Sequence, residues 1–134
     1  MTKPLSVQEA RDWLDAYGRA WVDGDPEAVA SLFLPEATYR ETPFDEPMVG
    51  QDRIRAYWQE GAADAQQDVR FSADVWAVEG STVIAGWQAR FRRVPSGATV
   101  ELDGTFRLAL HRTAGGVKCA SLQEWWHRRE SGAA

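Results

Sequence analysis

The stretch TVIAGWQARFRRVPSGATVELDGTFRLALHR, residues 82–112, decides the fold. Its period is two. Val83, Ala85, Trp87, Ala89 and Phe91 fall on one face, and Gln88, Arg90 and Arg92 on the other. After the turn Pro95-Ser96-Gly97 the alternation resumes: Leu102, Gly104, Phe106, Leu108 and Leu110 oppose Glu101, Asp103, Thr105, Arg107 and Ala109. Alternation of this kind is that of half-buried strands, and the short turn makes them a hairpin. Gly104 takes a side chain out of the buried set, which either opens space or lets another group approach the backbone.

Outward from this hairpin the pattern repeats. Glu79-Gly80-Ser81 joins a strand at 68–78, and Ala114-Gly115-Gly116 joins one at 117–129. Four long strands joined by hairpins form an antiparallel meander, and strands of that length twist and coil. On the last strand periodicity does not choose a face: Val117, Cys119, Ser121, Gln123, Trp125 and His127 form one set, and Lys118, Ala120, Leu122, Glu124, Trp126 and Arg128 the other.

Before residue 68 the period is 3.6. Ser6 and Glu9 have capping-box spacing ahead of Trp13, Leu14, Tyr17 and Trp21, and Gly24 ends that helix. Asp25-Pro26 starts a second helix with Val29, Leu32 and Phe33 on its apolar face, closed by Pro35. A short strand at 37–41, a proline-bearing loop from Thr42 to Gly50, and a third helix from about Gln51 to Glu60 complete the first half. The class is therefore α+β: three N-terminal helices packed on a curved antiparallel sheet that encloses a cone. Its 134 residues suit a single domain over 1–130, with 131–134 as a tail.

The net charge of −5 and the scattered basic residues argue against nucleic acid as a partner; Arg90, Arg92 and Arg93 read as a solvated strand face. One cysteine, Cys119, forms no internal disulfide. No stretch has the length of an apolar membrane span and no signal core follows Met1, so a cytoplasmic location is expected, with no membrane partner. His111 falls on an outward set, and neither it nor His127 has metal-ligand spacing, so no metal and no cofactor is expected. Seven tryptophans are spread over nearly every element; most must be core, and some are candidates to line a ligand pocket.

The order of elements resembles the nuclear transport factor 2-like superfamily, and local sequences resemble its SnoaL-like polyketide cyclase and ketosteroid isomerase branch. The carrying residues are Tyr17 with Val22-Asp23-Gly24-Asp25; Ala37-Thr38-Tyr39-Arg40-Glu41 before Pro43-Phe44; Val49-Gly50-Gln51 and Tyr57-Trp58; and Leu122-Gln123-Glu124-Trp125-Trp126. The resemblance implies a cone-shaped fold and points Leu122, Glu124 and Trp126 inward. It puts Tyr17 at the isomerases' oxyanion-hole tyrosine and Glu41, or its neighbour Thr42, at their general base. Phe106 stands where those enzymes keep a second acid, which disfavours steroid isomerisation. Glu124 matches the acidic residue that SnoaL-like cyclases carry on the last strand.

Glu124, Glu41 and Tyr17 are thus the candidate catalytic residues, and Trp58, Trp87, Phe106, Trp126, Tyr39 and Leu102 the candidate substrate-binding residues. The implied activity is cofactor-independent acid/base chemistry, isomerase- or cyclase-like, on an apolar or aromatic carbonyl compound. A non-catalytic ligand-binding or accessory domain is the alternative. Glu124 would be a general acid or base, or else a structural carboxylate that pairs with an arginine or caps an indole N–H such as that of Trp87 or Trp58. Superfamily relatives often dimerise through the convex sheet face, so a homodimer with Trp125, Val117 and Cys119 at the contact is a further expectation.

Overall fold

The computed structural model describes residues 4–132. Ser6 caps α1 (Val7–Val22): its hydroxyl accepts the Glu9 N–H at 3.0 Å and the Glu9 carboxylate accepts the Ser6 N–H at 3.0 Å. Asp23 closes the helix and Gly24 follows at φ +62°, where a side chain would be strained. The buried stripe is Trp13, Leu14, Tyr17 and Trp21. Asp25 caps α2 (Pro26–Ala30) through the Ala28 N–H.

Here the sequence reading needs correction. Helix α2 stops at Ala30, and Phe33 and Pro35, read as its apolar face and its terminator, belong to strand β1 (Phe33–Arg40). The reason is tertiary: the Cys119 N–H donates to the Leu32 carbonyl, and Phe33 pairs with Cys119 of the last strand, so this segment is drawn into the sheet. Strand β2 (Met48–Val49) lies inside the proline-bearing loop and pairs with β1. Helix α3 (Gln51–Trp58) ends in a π-helical turn, Gln59–Ala63.

The hairpin strands lie as expected: β3 (Gln66–Glu79), β4 (Thr82–Arg93), β5 (Thr99–Thr113) and β6 (Gly116–Ser131). Of the expected tail, Ser131 closes β6, and residues 133–134 lie outside the described residues. The sheet has six strands in the order β2-β1-β6-β5-β4-β3, antiparallel except for β1 against β6. It curves over α1, which packs mainly on β3.

A bulge in β6 settles the ambiguous alternation. Leu110 pairs with Cys119 and Ala109 with Ser121, so Ala120 has no opposite residue and the facing parity changes there. Cys119 consequently turns into the core beside Leu110, contrary to its assignment to the outer set and to a dimer contact; burial raises its thiol pKa to about 12. Beyond the bulge, Leu122 and Glu124 face inward and Trp125 outward.

Gly104 shows which of its two uses applies. A Cβ there would come within 2.7 Å of Trp87 Cε2 and 2.5 Å of the Trp125 carbonyl oxygen. The missing side chain is space already taken by an indole lying on the strand. One buried core runs through the cone. At its closed end Leu14, Phe33, Val83, Leu108, Leu110 and Leu122 pack together, and aromatic rings take over toward the open end.

Candidate functional site

Strand alternation brings residues from distant parts of the chain to one place. Trp87 on β4, Leu102 on β5 and Glu124 and Trp126 on β6 all project from the concave face. Helix α1 supplies Tyr17 and Trp21, β1 supplies Tyr39 with Glu41 just beyond it, and α3 supplies Tyr57 and Trp58. Together with Gln66 and the turn at Gly61 and Ala62 they line a cavity of about 80 Å³. That is about half the ~150 Å³ of an apolar cavity that takes up benzene. It suits the polar head of a ligand whose remainder lies toward the mouth, where Trp126 is 38% exposed.

Of the residues singled out from sequence, Tyr17, Tyr39, Glu41, Trp58, Trp87, Leu102, Glu124 and Trp126 border this cavity. Phe106 does not. It is fully buried behind the wall, stacked on Trp87 at 5.0 Å and 15° and meeting Tyr17 edge-on at 5.4 Å. Thr42, the neighbouring candidate to Glu41, accepts the Phe44 N–H within the loop. Trp21 and Gln66 were not singled out. Trp21 reads as one more residue of the helix stripe, and Gln66 precedes the segment whose alternation signals a strand. Trp21 Nε1 donates to Gln66 Oε1 at 2.7 Å, and the pair ties α1 to the start of β3.

Glu124 is only 7% exposed, the single charged residue in the core among the described residues. Loss of hydration raises its pKa to about 8; the negative charge of Glu41 adds to the rise, and a hydrogen-bonding contribution from Trp126 opposes it. No cation offsets the effect: Glu124 has no arginine partner, and the indole N–H groups of Trp58 and Trp87 are unpaired. Of the structural roles considered for this carboxyl, an indole contact is made by Trp126 rather than by Trp58 or Trp87.

Glu41 is half-buried and accepts the Tyr57 hydroxyl at 2.5 Å on Oε2. Deeper in, the hydroxyls of Tyr17 and Tyr39 share a hydrogen bond of 3.0 Å. Burial, and next the charge of Glu124, hold both phenols well above their ordinary value, so both keep their protons. The site is thus a carboxyl that is largely protonated at neutral pH, a second carboxylate with a tyrosine donor, and a tyrosine pair, within aromatic walls.

A larger groove, about 700 Å³, crosses the outer sheet surface between Arg70, Arg90, Glu101, Asp103, His127 and Arg129. Its polar groups bind one another: Arg129 pairs with Glu101, and Gln88 donates to Asp103 at 3.0 Å. Arg92 and Arg93, expected on a solvated face, pair with Asp68 and Glu130. Among the described residues no group of three or more His, Cys, Asp or Glu could hold a metal ion, and no helix is long and apolar enough to cross a membrane.

The profile of the SnoaL-like domain family matches residues 11–117, most of the chain. The chain belongs to this family. No curated protein sequence matches it. Among solved structures, the epoxide hydrolase/cyclase-like enzyme SalBIII of pyran ring formation in salinomycin superposes with a TM-score of 0.74 at 21% identity, over 90% of this chain and 92% of that one. A hexachlorocyclohexane dehydrochlorinase from Novosphingobium barchaimii gives 0.75 at 10% identity, over 95% and 90%. A protein of ketosteroid isomerase-like fold from Catenulispora acidiphila, in complex with trimethylamine, gives 0.69 at 18% identity, over 85% and 84%. Likeness at these identities establishes the cone fold, and proteins of this fold include the two enzymes just named.

Proposed function

We propose that this SnoaL-like domain, acting as one unit over residues 1–130, is a cofactor-independent enzyme. It moves a proton α to the carbonyl of a small apolar or aromatic compound, as an isomerase or cyclase does. The observation that carries this reading is a pair of carboxyl groups, Glu41 and Glu124, on one aromatic-walled cavity, with the pKa of Glu124 raised to about 8. A group titrating near neutrality serves as acid or base at working pH.

Glu41, already the acceptor of the Tyr57 hydroxyl, takes the α-proton. The C–H electrons form the enolate C=C bond and the carbonyl π electrons move to oxygen. Glu124, protonated, gives its proton to that oxygen, with Tyr17 as a further hydrogen-bond donor; Glu41 then returns its proton to carbon, the O–H electrons re-form the C=O bond, and the oxygen's proton goes back to Glu124, which completes the isomerisation. Trp58, Trp87, Trp126, Tyr39 and Leu102 hold the substrate and exclude water.

Deuterium uptake at the α-carbon of cyclopentanone in D2O tests this. Glu41→Gln and Glu124→Gln should each lower the rate of uptake by about 10²–10⁴-fold while leaving the far-ultraviolet circular dichroism unchanged. If both variants retain it, the mechanism is wrong; if the wild-type protein binds the ketone with no uptake, the chain is a ligand-binding domain. For the assembly we propose a homodimer through the convex face, where Trp125 is 49% and Trp76 62% exposed. A monomer at micromolar concentration in sedimentation would remove it. The cytoplasm is the proposed compartment, checked by fractionation.

A further inference from the structure

Of the buried tryptophans on the concave side, Trp13 donates its indole N–H to the Leu32 carbonyl at 3.0 Å and Trp21 to Gln66. Trp58 and Trp87 have no partner, and both border the cavity. An indole nitrogen is a donor only, and a buried donor left unpaired is costly, so such a group at a cavity wall calls for an acceptor from the cavity.

The two are not equivalent. Tyr17, Trp21 and Tyr57 all stand edge-to-face with Trp58, at 90°, 76° and 89°, an arrangement in which a ring face can receive its N–H. Trp87 has no edge-to-face neighbour: Trp21 is tilted to it at 57°, and its other two ring partners are stacked. It lies between Phe106 of β5 and Phe71 of β3, nearly parallel to both at 15° and 21°, and an N–H in the indole plane points at neither face. The indole edge that carries Cε2, the atom bonded to Nε1, rests on Gly104, which is opposite Trp126 on β6 and two residues from Phe106, the partner of Glu124. The ring is held between two aromatic faces, and its Cε2 edge rests on Gly104, whose pairing partner Trp126 borders the same cavity.

From this geometry we infer that the Trp87 indole N–H is the fixed hydrogen-bond donor that receives the ligand's carbonyl oxygen, making Trp87 a specificity-determining residue for oxygen acceptors. The inference rests on the reading that the cavity takes a carbonyl compound. It assigns to a tryptophan the second donor position that Phe106, behind the same ring, does not fill. A neutral donor of this kind binds a ketone and strengthens its hold as negative charge grows on the oxygen.

The test needs no turnover. Protein labelled with 15N in its tryptophans is titrated with cyclopentanone and, separately, with methylenecyclopentane, which has the same shape and no oxygen; Trp87→Phe assigns the Trp87 signal. The Trp87 Nε1 proton should move downfield with the ketone and not with the alkene. The ketone should bind about tenfold more tightly than the alkene, a ratio that Trp87→Phe brings toward one and Trp58→Phe leaves in place. A Trp87 signal unmoved by the ketone overturns the inference. So does an equal shift with the alkene or with tetramethylammonium, which offers no acceptor. The two readings fail separately: exchange that survives both Glu→Gln variants removes the catalytic mechanism while the Trp87 shift stands, and intact exchange with an unmoved Trp87 removes only the donor.

Discussion

The closed and open ends of the cone are built from the same strands with the same alternation, and they do opposite things with it. At the closed end Val83, Leu108 and Leu122 follow one another across β4, β5 and β6, all fully buried and all aliphatic. Toward the open end the equivalent rows read Ala85, Phe106, Glu124 and then Trp87, Gly104, Trp126. A shift of two residues along each strand replaces branched aliphatics by an alanine, a phenyl ring and an acid, and a shift of four by two indoles and a glycine. An aliphatic row closes on itself without leftover donors or charges. The aromatic row leaves an unpaired indole N–H and a carboxyl without a cation. The difference teaches where the sheet is a wall and where it is a site.

The sharpest way to break this comparison is Glu124→Gln. Exchange at a ketone's α-carbon should fall by about 10²–10⁴-fold, the range for loss of an acid/base group. Stability should respond in a defined direction. The folded-state pKa of Glu124, about 8, lies above its ordinary value of 4.5, so between these values the native protein holds a proton that the unfolded chain has lost. This contribution is fully present below pH 4.5, declines by about 1.4 kcal/mol per pH unit as pH rises, and is gone above the folded pKa. Urea unfolding of the wild type from pH 5 to pH 8 should follow that decline, and Glu124→Gln should flatten it. A parallel pH dependence in the two proteins would deny that the acid is the strained element of the open end.

Leu108→Ala probes the other end. A fully buried leucine among aliphatics should cost about 2–5 kcal/mol in denaturant unfolding, with binding of cyclopentanone unchanged under conditions where the variant is folded. Weakened binding alongside a small stability loss would mean that the two ends are not separate. Gly104→Ala comes next, at about 1–3 kcal/mol, because its Cβ would run into Trp87 and the Trp125 carbonyl and one of them must move. Ketone affinity should fall with it, since the backbone carbonyl is tied into the sheet and the added methyl would displace the indole from its fixed position. A variant as stable as the wild type would show that Trp87 is not held against the strand.

Much of this was legible in the sequence, for physical reasons that particular residues display. The alternation of 82–112 reports its faces because one face is wet and the other dry, and the Ser6–Glu9 box and Asp25-Pro26 report helix starts through local hydrogen bonding. Cys119 was misassigned because a single extra residue at Ala120 reverses parity and leaves no local mark. Phe33 and Pro35 were misassigned because their strand exists only by pairing with β6, some eighty residues away. Of the site, Tyr17, Glu41 and Glu124, matched by resemblance, lie on the cavity and Phe106 lies behind it; Gln66, the partner of Trp21, and the missing partner of Trp87 depend on how side chains meet across elements, which periodicity does not carry.

The smallest effect concerns Tyr57. Its hydroxyl donates to Glu41 at 2.5 Å, and burial, with the charges of Glu124 and Glu41, lifts its pKa far above the ordinary phenol value, so it remains a donor at any working pH. Tyr57→Phe keeps the ring against Tyr39 and Trp58 and removes only that donor. Loss of one hydrogen bond to a half-buried carboxylate should lower stability by about 1–2 kcal/mol. If Tyr57 positions Glu41, the rate constant for α-deuterium uptake at saturating ketone should fall severalfold while ketone affinity, which depends on the wall and on Trp87, stays the same. An affinity change with an unaltered rate constant would assign Tyr57 to the wall instead. No change in either would mean that Glu41 is held by the chain beyond β1 rather than by α3, and the open end would then be a set of independent groups instead of a connected one.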